Sequence, residues 1–322
     1  MALQFTLHDS KSISQSPSTL AYLVDRAFLF AATAGALSII ALVIYILYEI
    51  GGQSLPAISR SGASFLVNST WDVQSGTFGI LPQIWGTLYS ALLALLIGGF
   101  IGVTIAVFLT QDFLPPAIAT AFRTLIEMLA AIPSVVFGLW GIFVVIPFIR
   151  PIANWLHEAL GFIPLFSTSL SGPGMLPAVI VLSIMILPTV AAIAQDAIGL
   201  VPYKIKEAAY GMGTTKWEAI LKVMLPTASG GISSALVLGF GRALGETMAL
   251  AMLIGNANQI SLSLFSPATT LAALLASNFP EAGQVERQAL MYAALVLLAI
   301  TLVVNVIGTL ILVWTSRKMA KA

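Results

Sequence analysis

Six apolar stretches dominate this sequence, each about as long as the roughly 20 residues that a helix needs to cross a hydrocarbon core of roughly 30 Å. They run Ala27–Tyr48, Trp85–Leu109, Leu125–Ile149, Leu176–Ala194, Ile232–Ile254 and Ala289–Trp314. Backbone inside lipid must satisfy its own N–H and C=O groups, so such runs predict helices and leave few alternatives. The expected fold class is an all-α polytopic membrane protein with six transmembrane helices. The first, second and last runs carry no charge. The third contains Glu127 and Pro133, the fourth Pro188, and the fifth Arg242 and Glu246. Interruptions of that kind point to helices facing protein or a watery path instead of lipid. The first run ends at Tyr48-Glu49, which is no small-residue cleavage site, so it reads as a membrane helix and not as a signal peptide.

Composition closes off the other classes. Of 322 residues, 58% are hydrophobic and 8% charged, against about 45–50% and about 25% in soluble domains. A soluble enzyme, a disordered chain and a coiled coil are all excluded. Fourteen Lys+Arg against 13 Asp+Glu give a net charge of +1, so no basic field exists for nucleic acid. The absence of cysteine removes disulfides, thiol nucleophiles and thiolate metal ligands together. The two histidines are His8 in a polar tail and His157, read as a solvated loop residue, and they are too far apart in sequence to form a zinc cluster. No metal site is expected.

Loop charges set the orientation. With the N-terminus inside, inner segments hold Lys11, Arg26, Arg123, Lys204, Lys206, Lys216, Lys222, Arg317, Lys318 and Lys321, while outer segments hold Arg60, Arg150 and Arg287. Both termini are expected to be cytoplasmic. A polar tail over residues 1–24 precedes a single transmembrane domain over residues 25–322. Three outer segments, near Gly51–Ile84, Arg150–Met175 and Gly255–Gln288, are long enough to fold onto the membrane surface. Within the second, Asn154–Leu160 reads as a short interfacial helix anchored by Trp155. The inner loop 197–230 differs in character. Pro202 opens a helix-forming set from Tyr203 to Gly211, Gly211 and Gly213 can stop it, and Thr214 or Thr215 caps a second helix, with Glu218 placed as capping-box partner to Thr215.

That loop carries the most specific pattern. Glu207-Ala208-Ala209, then Gly213, then Val223 and Leu225-Pro226 fit E-A-A-x3-G-x9-[IV]-x-L-P throughout, and the loop resembles the signature of ABC-importer permeases. Two further stretches narrow the likeness. Glu127–Gly141 reads E-M-L-A-A-I-P-S-V-V-F-G-L-W-G and Gly241–Ala249 reads G-R-A-L-G-E-T-M-A. Both are similar to the two related permeases of the phosphate-specific ABC importer, and the I-P-S-V-V-x-G-L-W-G form favours the PstC-type permease over its sister. The resemblance covers nearly the whole chain from about Leu20, with Ala131 standing where many members have Gly. It implies an ABC-importer type I permease fold in a bacterial inner membrane. The implied partners are the sister permease in a heterodimer, a pair of ATPase subunits and an extracytoplasmic phosphate-binding protein, with inorganic phosphate as substrate. It makes loop 197–230 the coupling-helix loop, with Glu207, Ala208, Ala209, Gly213, Leu225 and Pro226 at the ATPase. Physically, small Ala208 and Ala209 would let a helix approach a groove, Glu207 would meet a basic partner, and Gly213 would allow the turn back.

No cofactor is expected on this chain, and no catalytic residue. It contains no G-x4-G-K-[ST], so ATP and Mg²⁺ belong at the partner ATPase and the chain is a transport component, not an enzyme. Gly239-Phe240-Gly241-Arg242-Ala243-Leu244-Gly245 has the wrong spacing for a dinucleotide loop and lies in a span, where glycine permits close packing. Arg242 and Glu246 stand at i,i+4, where one helix face would let them pair. A charge at mid-membrane costs about 2.5–3.5 kcal/mol even on the lenient insertion scale. Two readings follow: a self-neutralising packing pair, or an Arg242 that meets phosphate with its guanidinium fork while Glu246 holds it. The resemblance supports the second at these two positions. Beside Glu246, the Thr247 hydroxyl reaches a phosphate oxygen or, the preferred reading, its own backbone. Glu127 reads first as an i,i+4 partner of Arg123; Pro133 and Ser134 either open their helix locally, which makes Glu127, Pro133 and Ser134 a candidate gating group, or simply kink it. Competing readings are an ABC permease for another oxyanion, such as sulfate or molybdate, a stand-alone secondary transporter, and a membrane scaffold without transport.

Overall fold

The computed structural model describes residues 18–319, with side chains described as far as Ile311. His8, Lys11 and Lys321 lie outside the described residues, as do the side chains of Arg317 and Lys318. The chain forms two units, residues 1–52 and 53–322. In chain order the elements are α1 (Thr19–Ser61), α2 (Ser64–Val67), β1 (Trp71–Asp72), β2 (Thr77–Phe78), α3 (Leu81–Ala94), α4 (Phe100–Thr110), α5 (Pro116–Ala131), α6 (Ser134–Trp140), α7 (Ile146–Leu160), α8 (Met175–Gly199), α9 (Tyr203–Gly211), α10 (Lys216–Ala219), α11 (Leu225–Gly245), α12 (Met248–Leu253), α13 (Leu271–Asn278) and α14 (Gln284–Met319). Wide π-type turns at Leu95–Gly99, Gly141–Val145 and Ile220–Met224 join α3 to α4, α6 to α7 and α10 to α11 without breaking the run.

Among the described residues, six helical runs are long and apolar enough to cross a membrane: Thr19–Ser61, Leu81–Thr110, Ser134–Leu160, Met175–Gly199, Lys216–Gly245 and Gln284–Ile311. Two sequence-based spans are corrected. The third is not Leu125–Ile149, because Ile132 turns extended (φ −70°, ψ 127°) ahead of Pro133 and ends α5 there. A residue before proline is pushed out of the helical region by the ring. The span begins afresh at Ser134 and absorbs Asn154–Leu160, so the expected separate interfacial helix is the end of α7. His157 is therefore half-buried in the last turn of α7, its Nδ1 2.7 Å from the Phe166 carbonyl oxygen, and not in a solvated loop. The fifth span is not Ile232–Ile254, because α11 stops at Gly245 and Glu246 is extended.

Helix α8 is the most buried span, packed between α11 and α4. Lipid tails supply no hydrophobic force between such helices, so close van der Waals contact does the work and small residues sit at the crossings. A Cβ on Gly98 would lie 2.5 Å from the Ser183 carbonyl oxygen, and one on Gly102 3.0 Å from Val190 Cβ. From the other side, a Cβ on Gly239 would lie 2.6 Å from Val190 Cγ2. Val190 thus seats between two glycine notches.

The segments opposite loop 197–230 form a second packed layer. Phe65, Phe78, Ile80, Leu271, Leu274 and Leu290 are buried together, and the small β1–β2 hairpin joins them through Trp71 and Phe78. Polar ties complete it. Trp71 Nε1 donates to Glu286 at 3.3 Å, Trp85 Nε1 to the Ser261 carbonyl at 3.1 Å, and Leu271 N to Thr87 Oγ1 at 2.9 Å.

Candidate translocation site and docking loop

The two helix breaks define the centre of the bundle. Each leaves one residue extended with ψ 127°, Ile132 after α5 and Glu246 after α11. The short helices that restart after them, α6 and α12, pack on each other. Gly138 and Gly141 make that contact possible: a Cβ on Gly138 would lie 2.7 Å from Met252 Sδ, and one on Gly141 2.6 Å from Leu253 Cδ1. Pro133 stands at the head of α6 with Ser134, half-buried, as its first residue.

The break removes the expected Arg242–Glu246 pair. Residues at i,i+4 face each other only while the helix continues, and it ends between them. Glu246 Oε1 instead accepts from Ala249 N at 3.3 Å, heading α12. Thr247 Oγ1 donates to the Gly245 carbonyl at 3.0 Å, the backbone alternative of the two. Arg242 turns the other way, and its Nη1 donates to Thr189 Oγ1 on α8 at 2.9 Å. Thr189 lies about 21 Å from the start of α8 and about 15 Å from its end at 1.5 Å per residue. The guanidinium is thus held by a neutral hydroxyl near the middle of the most buried helix, with its charge uncompensated by Glu246.

A second arginine repeats the arrangement. Arg123, on α5, meets the Gln195 amide, and the donors around that amide assign its oxygen to the guanidinium side, where it accepts from Nε at 2.8 Å and Nη2 at 2.9 Å. The expected Arg123–Glu127 pair does not form, since neither Glu127 nor Asp196 reaches ion-pair distance. These side chains instead share a cavity of about 260 Å³ with Ala191 and Ala192.

The docking loop follows its local chemistry. Pro202 leads into α9, Gly213 takes φ +85°, and Thr215 with Glu218 closes a reciprocal capping box over α10. In that left-handed region a side chain would be strained. Glu207 and Ala208 are exposed, whereas Ala209 is buried and its carbonyl accepts from Thr214 Oγ1 at 2.8 Å. Ala209 therefore packs the loop on its own domain and presents no surface to a partner groove. The exposed large apolar residues are Leu200, Tyr203, Tyr210, Met212, Trp217 and Leu221. Leu225 and the exposed Pro226 start α11.

Sequence reasoning missed the residues that anchor these groups. Thr189 and Gln195 carry no motif, and only the threonine in an otherwise apolar run hints at a partner. Asp112 pins the loop: its carboxylate lies 2.9 Å from Lys206 Nζ, and its carbonyl accepts from Lys216 Nζ at 3.1 Å. Lys216 also stands 3.9 Å above the Phe113 ring, which leans on Trp217. A lone Asp between two spans, with φ +53°, is a turn signal that was available. No group of residues able to hold a metal ion occurs among the described residues.

Comparison with known proteins gives this geometry its class. Residues 102–321 match the family described as binding-protein-dependent transport system inner membrane component. Solved structures share the fold. A bacterial ABC transporter involved in the import of the acidic polysaccharide alginate superposes with TM-score 0.60 at 16% identity, covering 91% of this chain and 98% of that one. The MetNI methionine ABC transporter gives TM-score 0.54 at 19% identity, covering 73% and 95%. Multi-pass inner-membrane transport components of this kind are the class that the six spans and the family match define.

Curated relatives are more specific. The phosphate transport system permease protein PstC of Pasteurella multocida is 42% identical over 270 residues, covering 82% of this chain and 84% of the relative. That of Xylella fastidiosa is 40% identical over 273 residues, covering 83% of each. The chain belongs to this PstC permease family of binding-protein-dependent transport components.

Proposed function

We propose that the chain forms half of the path through which an ATP-driven importer moves inorganic phosphate, with Arg242 as the group that meets the anion in transit. The observation that carries this reading is the Arg242–Thr189 contact. A permanent charge exposed on this chain at mid-length of its spans, held by a neutral hydroxyl and not cancelled by Glu246, keeps donors for a passing oxyanion, and a guanidinium fork matches phosphate oxygens. Passage requires a site weak enough to leave, which suits one arginine better than a cluster. Glu246 then fixes the break by heading α12, and Thr247 fixes the backbone beside it. Glu127, Pro133 and Ser134 form the matching break, against which α12 moves when the path opens.

Loop 197–230 faces the cytoplasm in this reading, as do both termini, and it docks the ATPase through Glu207, Ala208 and the apolar side chains around them. Gly213 supplies the turn, Ala209 sets the loop against its own domain, and Leu225 and Pro226 lead it into α11. The sister permease completes the path, the ATPase pair binds ATP and Mg²⁺, and an extracytoplasmic binding protein delivers phosphate to the opposite face. PstC relatives named for phosphate transport favour phosphate over sulfate or molybdate. Uptake of radiolabelled phosphate in a strain relying on this complex tests the assignment. We expect phosphate accumulation that excess sulfate and molybdate leave unchanged; equal inhibition by either would reassign the substrate.

A further inference from the structure

The cavity on the Gly199 side of Arg242 contains both an arginine and carboxylates, and these do not neutralise one another within contact distance. With the Gln195 amide oxygen turned to the guanidinium, it occupies two of the five N–H donors of Arg123, which leaves three free for a ligand, and Arg123, Glu127 and Asp196 are all exposed on this chain. Ala191 and Ala192 keep the wall low, and Glu127 and Asp196 line the same space. Its volume of about 260 Å³ is several times the roughly 30 Å³ share of a water molecule. Gln195 lies six residues beyond Thr189, so the cavity sits about 9 Å further along α8 than the Arg242 contact.

We propose that this cavity is a second anion station that accepts a protonated tetrahedral oxyanion and rejects one without a proton. The proposal rests on the phosphate-path reading of Arg242 and extends it. An arginine alone binds phosphate and sulfate alike, because both offer equivalent oxygens to the fork. A neighbouring carboxylate breaks that tie. Hydrogen phosphate carries a P–OH group that donates to Glu127 or Asp196, whereas sulfate at neutral pH has no proton and meets only like-charge repulsion. Selectivity then comes from a repulsive element set against the wrong ligand as well as an attractive one for the right ligand. The excess of carboxylate over guanidinium charge also keeps the station weak, which passage requires.

The test uses the assembled importer in nanodiscs without its binding protein, so that upstream selection plays no part. Radiolabelled inorganic phosphate is read by scintillation proximity, with arsenate and sulfate as competitors, in an Arg242→Leu background that leaves Arg123 as the anion contact. We expect arsenate, which keeps a proton as phosphate does, to compete like phosphate. Sulfate should compete at least about tenfold more weakly, the lower end of what one hydrogen bond to a charged group contributes. Glu127→Gln with Asp196→Asn should bring sulfate to within about twofold of arsenate, and Arg123→Gln should lower binding of all three. Each single amide variant is measured as well, and retained ATPase subunits report assembly. Discrimination unchanged in the double amide variant, or phosphate binding indifferent to Arg123→Gln, would overturn the proposal. Normal phosphate uptake by Arg242→Leu would instead remove Arg242 from the path while leaving this binding result readable.

Discussion

Thr189→Val tests the break between Arg242 and Glu246 most sharply, because valine keeps the shape of threonine and loses only the hydroxyl. In the structure that hydroxyl accepts from Arg242 Nη1 at 2.9 Å, and Glu246 is engaged elsewhere with Ala249 N. A hydrogen bond to a charged group contributes about 1.5–3 kcal/mol net. At about 1.4 kcal/mol per factor of ten, its loss reduces the population of correctly held guanidinium by about ten- to 100-fold. Initial phosphate uptake at limiting substrate should fall by at least about tenfold in Thr189→Val, with the complex still assembled, since nothing else at Thr189 changes size. Glu246→Gln keeps an acceptor for Ala249 N and should cost about threefold or less, within the weaker range of a single cap. The assay is uptake at matched membrane levels in the two variants. Refutation is the reverse order: near-normal uptake in Thr189→Val with severe loss in Glu246→Gln would mean that Glu246, not Thr189, holds Arg242.

Other outcomes follow from packing and the loops. Gly98→Ala would put a Cβ 2.5 Å from the Ser183 carbonyl oxygen, and backbone there cannot yield as a side-chain tip can. It should destabilise the packing of the Leu95–Gly99 turn on α8 by about 1–3 kcal/mol, seen as a lower thermal midpoint of the purified complex, while Gly35→Ala, with nothing near its Cβ, should not. Ala209→Leu should disorder the loop itself, because Ala209 is buried, and protease cleavage near Met212 should rise. Glu207→Lys, at an exposed position, should release the ATPase on purification and leave the loop protected. In the β1–β2 hairpin, hydrogen bonds from Ser75 Oγ and then Gln74 N hold the Asp72 carboxyl below its usual 3.8. A depressed folded pKa means that the contribution is fully present above pH 3.8 and is lost as pH falls through the folded value. Hydrogen exchange of the hairpin should therefore be flat above pH 3.8, after correction for intrinsic rates, and should speed up only in stronger acid.

Much of the fold was legible because lipid leaves the backbone so few options. Apolar runs predicted six spans, and Thr215–Glu218 spelled out a capping box that forms. The failures share one cause. Taking Leu125–Ile149 and Ile232–Ile254 each as one span let apolarity decide the boundaries; the opening at Pro133–Ser134 was legible from the proline, whereas the break at the Gly245-Glu246 step, set by backbone geometry, was not. Once α11 stops at Gly245, the i,i+4 rule that paired Arg242 with Glu246 no longer applies. Partners 53 residues apart, as Thr189 and Arg242 are, leave no periodic trace in a single sequence. Ala209 shows a subtler limit: its small size reads equally as a surface that admits a partner and as a side chain fitted against its own domain, and only burial decides between them.

Phosphate uptake by Arg242→Leu, compared with wild type at matched membrane levels and with ATPase subunits retained, bears most directly on the translocation path. We expect uptake to be abolished while the complex stays assembled, because leucine fills the space and offers no donor to an oxyanion. Uptake at the wild-type rate would contradict a transit role and reduce Arg242–Thr189 to a packing contact.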